Sequence, residues 1–123
     1  MSDDDCGQAA VELALCLPLL ATLALLLLQV GLVVRDQVLV THAVRAAARE
    51  AAISADPVAV RAAAAGAGHL EPDRLEVEIR GRGRPGGQVI VVVRYASPTD
   101  VPLVGALVGD VRLSSTAAMR VEM

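Results

Sequence analysis

The chain has 123 residues, a length that allows one modest domain beside a membrane anchor. It contains no Trp, no Phe and a single Tyr95, so any core must be built from aliphatic side chains and Ala. All eleven basic residues are Arg and the formal net charge is -3, so the chain lacks the basic excess that nucleic-acid binding requires.

The most informative stretch is an apolar run near the N-terminus. Residues 13–34 form 22 consecutive positions without a formal charge, and eleven of them are Leu. At about 1.5 Å rise per residue, such a helix is ~33 Å long and crosses a hydrocarbon core of roughly 30 Å. The preceding residues are acidic, whereas the start of a secretory signal peptide is basic. We therefore expect a retained transmembrane helix over residues 8–34, after a leader over residues 1–7.

Gln29 is the one side-chain amide in this run. One interpretation is that it reaches toward the membrane surface or pairs loosely. The other is that it hydrogen-bonds a neighbouring helix. The sequence favours neither.

The helical pattern continues beyond the apolar run, and we expect a helix over residues 35–55. An apolar stripe with a 4-3-4-3-4 spacing packs either on the protein's own sheet or on a partner helix, and we favour the sheet. A basic arc on the same helix is interpreted as a solvated face. The stripe contains Val33, Gln37, Val40, Val44, Ala47 and Ala51; the arc contains Arg35, His42, Arg45 and Arg49.

A second, shorter helix is predicted over residues 57–65, because Asp56 is a good N-cap and Pro57 suits the first helical position. The apolar period then changes from 3.6 to 2, which predicts strands near residues 75–80, 88–96 and 111–122. We interpret residues 81–87 as a loop. Residues 97–110 are interpreted as a connection whose short apolar turn folds onto the sheet.

These elements predict an α+β fold. It consists of a long N-terminal transmembrane helix that continues into a small domain over residues 35–123. That domain holds the short second helix and an antiparallel sheet of about three strands.

The sequence offers no credible active site. Arg80-Gly-Arg-Gly-Arg-Pro-Gly-Gly87 has the composition of an RNA-binding tract, but it lacks aromatic neighbours and is better interpreted as a hairpin loop. The serines at 114 and 115 are not in a Gly-x-Ser-x-Gly motif, and no Cys/His/Asp cluster has metal-binding spacing. We expect a non-enzymatic protein without cofactor, metal or small-molecule substrate.

The segment Gly7-Gln8-Ala-Ala-Val-Glu12-Leu-Ala-Leu-Cys-Leu-Pro18 resembles a type IV prepilin. More closely, it resembles the TadE-like family of tight-adherence (Flp-type) pilus assembly proteins. Residues 113–122 resemble that family's closing strand. The resemblance implies a pilin-like fold and a minor pseudopilin that a prepilin peptidase cuts between Gly7 and Gln8. It also implies that Glu12 attracts the new amine of Gln8 or of a neighbouring subunit, which offsets the cost of a carboxylate there.

The resemblance further implies partners and a location. The partners would be the prepilin peptidase, other pilins or pseudopilins, pilus-assembly platform proteins and the lipid bilayer, without nucleic acid. The location would be the cytoplasmic (inner) membrane, with a single pass and the C-terminal domain outside the cytoplasm. Charge alone favours the opposite orientation, because Arg35, Arg45 and Arg49 all follow the apolar run. The alternative function is an unprocessed, membrane-tethered binding module unrelated to pili.

Overall fold

In a computed structural model, the chain is described over residues 3–54, 56–81, 86–99 and 101–121. It has the predicted α+β fold, with a long apolar helix, a short second helix and a three-stranded antiparallel sheet. A 3-10 turn, Pro72–Arg74, precedes the first strand. The elements in chain order are α1 (Asp3–Ile53), α2 (Pro57–Gly68), β1 (Leu75–Arg80), β2 (Gln88–Ser97), α3 (Val104–Val108) and β3 (Val111–Arg120).

Helix α1 is continuous over 51 residues and contains Pro18 without interruption. A proline within a helix removes one backbone hydrogen bond and is tolerated more readily in membrane helices than in water. The apolar run and the first helix of the domain are therefore one element. Residues 3–7 of the predicted leader belong to the same helix, while residues 1–2 lie outside the described part. The predicted end of this helix at residue 55 also lies outside it.

The C-terminal half of α1 supplies one side of the core. Val40, Val44, Ala47 and Ala51 are buried in one cluster with the inward side chains of the sheet, so the favoured interpretation of the apolar stripe is confirmed. Ala43, Ala48 and Ala52 widen this buried surface, and α1 also packs against α2. The basic arc is exposed, as interpreted.

Helix α2 begins as predicted but continues to Gly68, three residues beyond the predicted end. Asp56 caps it by accepting a hydrogen bond from the Val58 amide at 3.0 Å. Its other end lies so close to α1 that a Cβ on Gly68 would be 2.9 Å from the Leu39 carbonyl oxygen. Packing against α1 therefore keeps this end of α2 helical, despite the low helix propensity of glycine.

The sheet has the order β1-β2-β3, and both pairings are antiparallel. In the central strand β2, every second side chain is buried. The first four of these side chains belong to the core cluster and the last lies at the end of the strand: Val89, Val91, Val93, Tyr95 and Ser97. The pairing of β1 with β2 supports the hairpin interpretation, although residues 82–85 of the loop lie outside the described part. Strand β3 ends at Arg120, and residue 122 of the predicted strand also lies outside it.

The β2–β3 connection does not fold onto the sheet as expected. Val101 and Val104 are buried but stand apart from the main core cluster, and α3 packs against α1. The inner face of the sheet is covered by α1, and the apolar turn packs against that helix. Three large side chains of the same turn remain exposed: Leu103, Leu107 and Val108.

Tyr95 reports on this core, because it is the sole aromatic residue and only 6% exposed. Burial raises the pKa of its phenol, since the charged phenolate is poorly solvated there. A raised folded-state pKa means that the stabilisation is present below the unfolded-state pKa. It is lost as the pH rises through the folded-state pKa.

We expect phenolate absorbance in the full-length protein to appear at higher pH than in the same protein unfolded in denaturant. A folded-state midpoint at or below the unfolded one would show that Tyr95 is solvated.

Candidate functional site

The three residues predicted to carry function lie on the first turns of α1, and all are exposed. Gln8 and Glu12 are four residues apart and therefore share a helix face. The Gln8 side-chain amide donates to Glu12 Oε1 at 3.5 Å, which is a long hydrogen bond. The structure thus brings Gln8 and Glu12 together.

Gly7 has no packing reason to be glycine in this chain. A Cβ built at this position would meet no atom within 4 Å, and its backbone is helical. Glycine destabilises a helix by about 1 kcal/mol relative to Ala. The fold therefore does not explain why residue 7 is a glycine.

The stretch that follows is exposed and apolar. By length and composition α1 is able to cross a membrane, and its most apolar window has no residue buried within the protein. Exposed large side chains occur all around the helix here and include Leu13, Leu15, Leu17, Leu19, Leu20, Leu23, Leu26, Leu27 and Leu28. An apolar surface of this extent is unfavourable in water. We therefore treat α1 as a single-pass membrane anchor.

One face of the anchor is covered by the protein itself. The covered face begins at Leu25, continues through the half-buried Leu32 and Val33, and includes Gln29, which is 6% exposed. Among the described residues, neither amide atom of Gln29 has a hydrogen-bond partner. An unpaired buried amide costs ~1–3 kcal/mol. Because Gln29 is buried within its own chain, its side chain is not presented to the surface of the anchor.

Two polar contacts hold α1 to the sheet just beyond the apolar run. Ser97 is buried, and its hydroxyl donates to Asp36 Oδ2 at 2.5 Å. The Gln37 amide donates to the Ser114 carbonyl at 3.5 Å. Neither Asp36 nor Ser97 belongs to a motif that marks it in the sequence. The available signal was the alternation of β2, which places Ser97 on the inward face with Tyr95.

Charged groups on the outer side of the sheet pair with one another. Arg74 donates to Asp110 at 3.0 Å across an open groove at the end of the sheet, and this hydrogen bond raises the pKa of Arg74. A hydrogen bond from Arg80 to Glu78 at 2.6 Å lowers the pKa of that carboxyl. Exposed ion pairs of this kind contribute little to stability. In the described part of the chain, no group of three or more His, Cys, Asp or Glu side chains is placed to hold a metal ion.

Residues 7–49 match a family model described as TadE-like protein. The match lies entirely within α1 and includes the predicted site, the apolar run and the helical stripe that enters the core. It does not include residues 113–122, so the resemblance of that strand stays a prediction. No curated protein and no solved structure matches the chain.

The TadE-like match covers 43 of the 123 residues, and it lies in the helix that is able, by length and composition, to cross a membrane. It includes the three residues on which the resemblance was first based. The resemblance of the anchor segment is thereby confirmed, and residues 7–49 are similar to the TadE-like family.

Proposed function

We propose that the protein is a minor pilin or pilus-assembly component of a tight-adherence secretion system. In this proposal a prepilin peptidase cuts between Gly7 and Gln8, and α1 then anchors the chain in the inner membrane. The α+β domain lies outside the cytoplasm and contacts other pilins, pseudopilins and platform proteins. The role is non-enzymatic. The single observation that carries the proposal is the TadE-like match over residues 7–49.

The geometry at the N-terminal end of α1 supports the processing step. Gly7 and Gln8 are exposed, and terminal helical turns open at little free-energy cost. A peptidase is therefore able to reach this bond without disturbing the domain. Glycine at position 7, which the fold does not explain, leaves the scissile bond unobstructed.

Glu12 has a clear electrostatic role after such a cut. The new α-amino group of Gln8 would lie at the positive end of the helix, where a cation is unfavourable. Glu12 is one turn away on the same face, and it already contacts the Gln8 side chain. In a membrane environment a carboxylate paired with this amine, or with that of a neighbouring subunit, costs less than an unpaired one.

The second candidate is an unprocessed, membrane-tethered binding module. It is favoured by the acidic residues Asp3, Asp4 and Asp5 and by the arginines that follow the apolar run, since positive charge is enriched on the cytoplasmic side. The two functions differ in cleavage and in orientation, so experiments separate them.

Cleavage is tested by co-expression with a cognate prepilin peptidase. We expect the intact mass to fall by that of residues 1–7, with Gln8 as the new N-terminus by sequencing. Gly7→Val should block the cut, because a branched side chain crowds the bond. Gly31→Val is the matched control, since Gly31 is also an open position on α1, and it should be processed normally. An unchanged mass with an active peptidase would contradict the proposal.

The charge of Glu12 is tested by comparing Glu12→Gln with Glu12→Asp in cells that assemble the pilus. The neutral variant should insert in normal amounts, yet chemical cross-linking should recover it with other pilins at a severalfold lower yield. The aspartate variant should retain most of the yield because it keeps the charge. Equal yields for both variants and the unaltered protein would make the carboxylate incidental.

Orientation is tested by cysteine labelling with a membrane-impermeant reagent. With Cys16 replaced by Ala, the exposed Cys6 reports on one end of α1, and Ala62→Cys on the exposed face of α2 reports on the domain. In cells without the peptidase, we expect only position 62 to be labelled from outside the cytoplasmic membrane. Labelling of Cys6 alone would reverse the orientation and favour the tethered module.

A further inference from the structure

The β2–β3 connection, residues 98–110, has an exposed apolar tip that the proposed function does not use. Leu103 is 69% exposed, Leu107 is 86% exposed, and Val108 is also exposed. These three side chains form the apolar tip of the connection. A turn that faces water ordinarily carries polar residues. The exposed apolar side chains of this tip therefore indicate contact with an apolar environment.

Contacts among the described residues of the connection define the position of the tip. The Thr99 hydroxyl donates to the Gly109 carbonyl and joins the two ends of the connection. The Gly105 amide donates to the Val101 carbonyl at 3.0 Å. A Cβ at Gly105 would be 2.4 Å from the Thr99 carbonyl oxygen, so the turn closes tightly on itself. Leu103 has a φ of 69°, a region that side-chain-bearing residues rarely occupy, yet an apolar side chain is present there.

The position of the connection along α1 follows from the Ser97–Asp36 hydrogen bond. The connection starts directly after Ser97, at the level of Asp36. Gln29 lies seven residues earlier on the same helix face, ~10.5 Å toward the N-terminus. The end of α2 is near Leu39, farther toward the C-terminus, so α2 does not account for the burial of Gln29. The connection, whose α3 packs against α1, is the described segment placed to cover Gln29.

The apolar tip therefore lies beside the apolar run of the anchor, not beyond its end. The side chains of α1 at this level that the connection leaves uncovered are themselves exposed and apolar: Leu26, Leu27, Leu28, Val30 and Val34. The connection covers one apolar face of α1, and the exposed side chains of its tip present an apolar surface at the same place. Helix and tip together present a continuous apolar belt.

We infer that the apolar tip inserts into the bilayer leaflet on the domain's side, at the boundary between headgroups and acyl chains. The occupant of this surface is lipid, because the tip is continuous with a surface that lipid already surrounds. Apolar side chains at such interfaces lie ~5–10 Å below the headgroup level. This second contact fixes the tilt and rotation of the domain relative to the membrane. The inference depends on α1 spanning a membrane and is independent of cleavage and of pilus assembly.

The test uses tryptophan, because the chain has none of its own. Leu107→Trp places a single indole on the tip, at a position exposed enough to accept it. Val58→Trp is the matched control, an exposed apolar position (74%) at the start of α2. Each full-length variant is reconstituted in phosphatidylethanolamine and phosphatidylglycerol vesicles, with and without lipids brominated near the ester end of the acyl chains.

We expect the tryptophan fluorescence of the Leu107→Trp variant to lie at short wavelength and to lose most of its intensity with brominated lipid. The Val58→Trp variant should emit at long wavelength and keep its intensity. Long-wavelength, unquenched emission from the Leu107→Trp variant would place the tip in water and overturn the inference. Short-wavelength emission that bromine does not quench would show a protein contact, and this also overturns it. Tyr95 titration and circular dichroism of both variants establish that the fold is retained.

Discussion

The hydrogen bond between Ser97 and Asp36 lies where the surroundings of α1 change. On its N-terminal side, α1 is apolar and mostly exposed; on its C-terminal side, the helix is packed against β2, β3 and α2. The donor is a buried hydroxyl and the acceptor is a carboxylate, and bonds of this charge-assisted kind contribute about 1.5–3 kcal/mol. It aligns the end of the sheet with the end of the apolar run. The β2–β3 connection begins directly after Ser97, at the level of Asp36.

The composition of the helix suits each of its two halves. Leucine in the N-terminal half provides bulk for contact with lipid, whereas alanine and valine in the C-terminal half let the sheet and α2 approach closely. The core lacks large aromatic side chains apart from Tyr95. Its close packing therefore depends on the short distance between the helices and the sheet, which small side chains allow. Gly68 at the end of α2 shows the same constraint, since any side chain there would contact the α1 backbone. The long helix therefore supplies one side of the core of this small domain.

The fold class, the packing of the helical stripe and the family resemblance could all be predicted from the sequence, because each rests on a local pattern. Apolar length, a period of 3.6 or 2, and the spacing of Gly7, Gln8 and Glu12 are visible within short windows. The covered face at Gln29 could not be predicted, because burial there comes from tertiary packing, and the parts of this chain that meet are distant in sequence, as are residues 36 and 97, 61 positions apart. The packing of the apolar turn against α1 instead of the sheet also depends on tertiary contacts, which short sequence windows do not show. The end of α2 was placed too early because tertiary contact overrode glycine's low propensity.

Helix α1 is continuous from Asp3 through the end of the apolar run into the domain, so the anchor and the first helix of the domain are one element. Amide hydrogen exchange of the full-length protein in lipid nanodiscs tests this directly. A continuous helix predicts slow exchange through residues 30–44, without a fast segment where the apolar run ends. Fast exchange confined to residues 34–37, with protected amides on either side, would reveal a hinge between anchor and domain and would contradict the account.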